Sequence, residues 1–141
     1  MAEFETSPHI RDEFSPLETL AMRALRRFGE GAPTTMDAET MIMFIDFANA
    51  VIDDVYEHPY WDKSELLYYK HQSEARPLPD NLLLAGLLSK YSIDQASQRA
   101  PRYEAEYFKR MNQVLLRRKY GPNASFELQA VDYPQADGGV R

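Results

Sequence analysis

The sequence contains no cysteine, and that absence removes several chemistries at once. Disulfide frameworks, thiolate zinc sites, iron–sulfur clusters and cysteine nucleophiles are all excluded. Glycine and proline, 6 and 9 among 141 residues, are too few for a collagen-like or low-complexity chain. Long hydrophobic runs are missing as well. The longest, residues 41–45 and 82–85, fall far short of the ~20 apolar residues of a membrane span. There is no basic surplus: the formal net charge is -6, the wrong sign for a general nucleic-acid binder. Residues 1–5 are acidic and carry neither the basic nor the apolar region of a secretory signal, so synthesis and use in the cytoplasm are expected.

A 44% hydrophobic and 27% charged composition is that of one globular domain able to bury its own core. Charge is unevenly spread. Residues 1–60 hold 12 acidic against 4 basic side chains, net −8, and residues 61–141 hold 10 against 12, net +2. Such asymmetry favours head-to-tail association of identical subunits.

Hydrophobic spacing predicts an all-α chain of about four helices, an antiparallel bundle with an aromatic connecting loop and an extended C-terminal arm. Ser15-Pro16-Leu17-Glu18 reads as an N-cap, a first-position proline and a capping-box glutamate for a helix over 17–28. Gly29 stops it. Met41, Phe44, Ile45, Ala48, Val51, Ile52 and Val55 make a continuous stripe on a second helix, over 37–57, which His58-Pro59 ends. Residues 58–79 form the aromatic connection, with a short helix or strand expected over 64–70. Leu78-Pro79-Asp80 opens a third helix, on which Gly86 permits close approach of a neighbour. Pro101 opens a fourth, terminated by Tyr120-Gly121-Pro122. The expected core is Leu20, Phe28, Phe44, Ile45, Ala48, Ile52, Leu84, Leu88, Phe108, Met111 and Leu115. Residues 1–14 read as an N-terminal arm, 15–121 as the helical core domain and 122–141 as the C-terminal arm, with a hint of strand at Phe126, Leu128 and Ala130.

Signatures of catalysis are missing from this frame. His9, His58 and His71 show no HExxH, Glu-x-x-His or i, i+4 pairing. A metal site from His58, His71 and Asp62 competes with the plainer reading of three surface histidines. Asp46 and Asp53 share a helix face and Asp54 adjoins them. That is enough for paired-carboxylate chemistry if buried, and it equally fits a solvated strip. No nucleophile elbow and no phosphate-cradling glycine spacing is present. Arg117-Arg118-Lys119 suits the negative end of a helix dipole. The chain is therefore read as a non-enzyme without a cofactor. Wide apolar stripes and protruding arms mark a part of an assembly.

The layout resembles the head-to-tail adaptor (connector) proteins of tailed bacteriophages. The resemblance is carried by the helix over 17–28, the long apolar helix followed by Tyr60-Trp61, and the segments PLPDNLLLAGLLSKYSIDQAS and PRYEAEYFKRMNQVLLRRKYG with the polar arm after them. It implies a structural virion protein, assembled in the host cytoplasm, whose copies form a dodecameric ring between portal and tail. The ring would extend the channel through which genomic DNA passes without specific binding. The C-terminal arm would dock on the portal, and Phe126, Leu128, Val131 and Tyr133 are its candidate contacts. Tyr60, Trp61, Tyr68 and Tyr69 are candidates for the contact with a neighbouring subunit or the tail, and Asp46, Asp53 and Asp54 for the channel wall. The alternatives are another neck or tail-completion protein, or a small helical metal-binding enzyme or regulator.

Overall fold

Four stretches have the apolar periodicity and end signals of helices, and the computed structural model, which describes residues 14–29 and 36–121, forms all four. They are α1 (Leu17–Phe28), α2 (Ala38–Tyr56), α3 (Asp80–Asp94) and α4 (Ala100–Tyr120). No strand occurs among the described residues. The expected strand at 126–130 and the whole arm over 122–141 lie outside them, as do residues 1–13.

The helix ends follow local chemistry at three places. Asp37 caps α2 by accepting from the Thr40 N–H at 2.8 Å, which satisfies one of the donors a helix start leaves open. Gly29 closes α1 with φ 106°, a left-handed conformation that glycine adopts without a side-chain penalty, and its N–H reaches the Leu25 and Arg26 carbonyls. Basic side chains fill the last turn of α4, where they offset its partial negative charge.

Ser15 does something other than expected. It makes no cap on α1; its backbone N–H and its hydroxyl both donate to the Asp80 carboxylate at the start of α3. The open N–H groups of α1 are met from the distant connection instead, Leu17 by the Glu74 carbonyl and Glu18 by that of Gln72, each at 2.9 Å. A buried carboxylate that accepts both Ser15 donors, with the Arg23 guanidinium 3.8 Å away as a counter-charge, outcompetes a local cap.

The centre of the bundle is α3. It packs against α1, α2 and α4, and buries Leu82, Leu83, Leu84, Leu87, Leu88 and Tyr91 between them. A helix apolar on so many sides can only be a core helix. Of the expected core, Leu20, Phe44, Ala48, Ile52, Leu84, Leu88, Met111 and Leu115 are buried, and Phe28 and Ile45 pack half-buried against them. Phe108 is a correction. It is 43% exposed, because the α4 stripe that meets the bundle runs through Tyr107, Met111 and Leu115 at helical spacing and leaves Phe108 at its edge.

The connection over 58–79 forms no helix and no strand, contrary to the element expected over 64–70. Side chains hold its backbone where a partner strand otherwise would. The Asn49 amide on α2 donates to the Tyr69 carbonyl at 3.1 Å and accepts from the Tyr69 N–H at 2.7 Å. Arg76 donates to the carbonyls of Leu67 and Tyr68 at 2.7 and 2.6 Å. Asn49→Ala removes two bonds and leaves the Tyr69 backbone groups unmet. Loss of about 1–3 kcal/mol is expected in chemical denaturation, with earlier hydrogen exchange at Tyr69. A variant as stable as the parent would show that the connection holds itself.

Candidate functional site

Each histidine within the described residues has a local polar partner. His58 accepts the Tyr60 N–H at Nδ1, 3.1 Å, so its proton sits on Nε2, which donates to Asn112 Oδ1 at 2.6 Å. His71 Nδ1 accepts from the Ser73 backbone at 3.1 Å. Asp62 accepts from the N–H and hydroxyl of Ser64 and pairs with Arg118 at 3.3 Å. These three residues are thus not brought together. Among the described residues no group of three or more His, Asp or Glu side chains is placed to hold a metal ion. No described helix is long and apolar enough to cross a membrane. His9 lies outside the described residues.

The α2 carboxylates separate by role. Asp54 is tied into the bundle: its Oδ2 accepts from Lys90 on α3 at 3.0 Å and from the Tyr107 hydroxyl on α4 at 2.9 Å. One carboxylate oxygen thereby links three helices. Asp53 accepts from the Tyr68 hydroxyl, and Asp46 is exposed. The aromatic connection divides in the same way. Trp61 and Tyr69 are core residues at 4% and 3% exposure, Tyr60 is half-buried, and Tyr68 is 52% exposed. Arg118 lies 4.3 Å over the Trp61 ring and Arg76 4.9 Å over that of Tyr69, stacking that holds each planar cation on an aromatic face.

Two helices carry the charge asymmetry. α2 has four acidic residues and no basic one; α4 has six basic and two acidic, so their formal charges are −4 and +4. Both also expose large apolar side chains, Ile42 and Tyr56 on α2, Phe108 and Tyr120 on α4.

A cleft of about 660 Å³ opens between α4 and the start of α3. Its floor is the buried set Trp61, Leu78 and Leu115, its cationic wall is Arg110, Arg117 and Arg118, and Phe14 lines it where the chain enters the described region. Asn81 lines it too, with a buried Oδ1 that has no hydrogen-bond partner. Sequence reasoning missed this cleft. Arg117 and Arg118 drew notice as helix-end charges, but nothing local places Arg110, Asn81 and Phe14 in one groove.

Burial pushes the Tyr69 phenol up to about 12, with Asp80 and Glu74 adding to the rise and Arg76 opposing it. It raises the Tyr107 phenol further, Asp54 adding repulsion of the phenolate and a bond to the neutral form. The folded state therefore favours both neutral phenols. Their contribution is full below the unfolded value of 10.0 and is lost as pH rises from there towards 12 and beyond. Melting temperature should fall steeply above about pH 10, and Tyr69→Phe should soften that fall. An unchanged alkaline limb in that variant would place the transition elsewhere.

No family model, no curated protein and no solved structure matches the chain.

Proposed function

We propose that this protein is a ring-forming structural adaptor of a tailed-phage head, joining portal to tail and extending the DNA channel. One observation carries the reading: α2 and α4 carry opposite formal charge along their lengths, −3 and +3 once Asp54 and Arg118 are set aside with their partners Lys90 and Asp62, and each has exposed apolar side chains. A closed ring needs heterologous contacts, in which two different patches of each subunit meet. Charge complementarity sets the register of such a contact, and apolar burial supplies its affinity. In this reading Asp46 and Asp53, with Ile42, meet Lys109, Phe108 and the basic turn of the next copy's α4. Asp54 is already engaged by Lys90 and Tyr107 and takes no part.

The arm over 122–141 attaches the ring to the portal through Phe126, Leu128, Val131 and Tyr133, all outside the described residues. Tyr68 and Leu67, exposed on the connection, face the tail or the neighbouring copy. The ring works by shape and charge, without chemistry. A channel that lets a duplex slide must not hold its phosphates.

Portal-bearing heads incubated with the protein should show, by cryo-electron microscopy, a ring of identical copies beneath the portal. A protein that stays monomeric and leaves such heads bare overturns the reading. Asp46→Lys with Asp53→Lys should prevent ring formation. If these residues instead line the channel, the same variant assembles and gains salt-sensitive binding of duplex DNA. Removal of residues 122–141 should leave far-ultraviolet helicity unchanged and abolish attachment to heads. Normal decoration by the truncated chain would move attachment to the helices.

A further inference from the structure

The wall of the cleft beside α4 carries cations without counter-charges. Arg110, Val114 and Arg117 stand at i, i+4 and i+7 on α4, so they share the face that forms this wall. Arg118 lies beside them, already held by Asp62 and the Trp61 ring. Arg110 and Arg117 have no ion-pair partner among the described residues, and Arg110 is half-buried. A guanidinium partly out of water and unpaired favours an incoming carboxylate, which its planar fork binds by two parallel bonds. We propose that the cleft docks an extended acidic segment of another protein, its carboxylates on Arg110 and Arg117 and its apolar side chains on the floor of Trp61, Leu78 and Leu115.

Asn81 is the second argument. It lines the cleft with Oδ1 buried and unpartnered. A primary amide holds a donor and an acceptor side by side, and one residue of extended backbone offers the matching pair. Asn49 of this same chain makes that pairing, donating to the Tyr69 carbonyl and accepting from the Tyr69 N–H. Asn81 pairs with no backbone among the described residues, and a docked segment supplies one once the amide turns. A helical occupant would not, because its interior N–H and C=O groups are bonded to each other.

Spacing is the third. Arg110 and Arg117 are two turns apart, about 10 Å along α4. In a polyproline-type segment every third residue returns to one edge, about 9 Å further on. Acidic residues at i and i+3 therefore meet both guanidiniums, while the residues between them turn towards the apolar floor. A nucleic-acid backbone fits less well, since beyond the arginine wall its phosphates meet a chain of net charge -6. Phe108 and Lys119, on the side of α4 offered to a neighbouring copy, lie about half a turn round the helix from Arg110 and Arg117. The inference thus holds for an isolated subunit and does not depend on ring assembly.

The probe is a labelled, acetylated peptide repeating Glu-Leu-Pro, read by fluorescence anisotropy with the full chain at low salt. Saturable binding is expected, with amide shifts at Asn81, Val114 and Arg117 and none near Ala38. The same peptide with glutamine for glutamate should bind at least about tenfold more weakly. Arg110→Gln with Arg117→Gln should give a similar loss at unchanged far-ultraviolet helicity, and Asn81→Ala a loss of a few-fold. Should the double variant fail to fold, a salt titration of the parent replaces it: affinity for the glutamate peptide falls with ionic strength and that for the glutamine peptide does not. Absent binding, equal affinity for the two peptides, or binding unchanged by the folded double variant or by salt overturns the proposal. So does a duplex DNA fragment that displaces the peptide and moves the same amides at lower concentration, since the occupant is then a phosphate backbone. A peptide-free dimer of the parent that dissociates when Arg110 and Arg117 are replaced also overturns it, because a second copy then fills the cleft.

Discussion

Phe44→Ala should lower stability by about 3–5 kcal/mol, the cost of removing a fully buried aromatic ring whose cavity cannot collapse. Phe44 is 0% exposed at the centre of α2. Its ring stacks on Tyr91 of α3 and meets Phe47 edge-on, each with centroids 5.5 Å apart. Tyr91 is itself anchored, since it also takes Phe28 edge-on at 4.9 Å. A domain of this size is held by about 5–15 kcal/mol in all. At about 4–8 °C per kcal/mol, the melting temperature should fall by more than about 10 °C. Melting like the parent would show that α2 faces the core differently. The matched control is Phe108→Ala, which should cost under about 1 kcal/mol in the isolated subunit because its ring is already half in water. If α4 meets a neighbouring copy, that variant weakens association and leaves folding intact.

Gly86→Leu should destabilise by about 3 kcal/mol or more, and even Gly86→Ala should lose stability, against the usual trend. In an open helix, alanine is favoured over glycine by about 1 kcal/mol. Here a Cβ on residue 86 would stand 2.5 Å from Val51 Cγ2 and 3.0 Å from Tyr107 Cε1. Val51 is β-branched and stiff at χ1. Tyr107 is held by its bond to Asp54, and both side chains are fully buried. Neither can swing aside, so α2 or α4 must move away from α3, and overpacking of that kind costs about 1–3 kcal/mol for small additions. Equilibrium denaturation of the two variants checks the order. An alanine variant more stable than the parent would mean the three helices relax apart freely.

The helices were legible because their signals are local. Asp37, Gly29, Pro101 and Gly121 act within one turn of where they stand, and apolar spacing acts along one helix. The close approach at Gly86 was legible for the same reason, since a lone glycine in a leucine-rich helix marks a near neighbour. Ser15 was misread because its competitor, Asp80, is 65 residues away. Phe108 was misread because adjacent aromatics on a helix cannot be ranked by periodicity alone. The structure of residues 64–70 was illegible because Asn49 and Arg76, outside that segment, hold its backbone. The acidic character of α2 and the basic end of α4 could be read directly, but which of their charges stay free could not. Asp54 is spent on Lys90 and Tyr107, and Arg118 on Trp61 and Asp62.

By itself, then, the sequence determined the number and approximate limits of the helices and, Phe108 aside, their apolar faces, together with the opposite charge of α2 and α4 and the exclusion of thiol chemistry. These follow from hydrogen bonding and side-chain spacing within a few residues; the distant group that intervened, Asp80, took the Ser15 cap and left the helix itself in place. Only the tertiary structure decided that α3 is the central helix, that the connection is clamped by side chains, and that three arginines, an asparagine and a phenylalanine share one cleft. Each of those depends on groups far apart in the chain, and their meeting is settled by which apolar surfaces bury together. That is a sum over the whole bundle, and no single segment carries it.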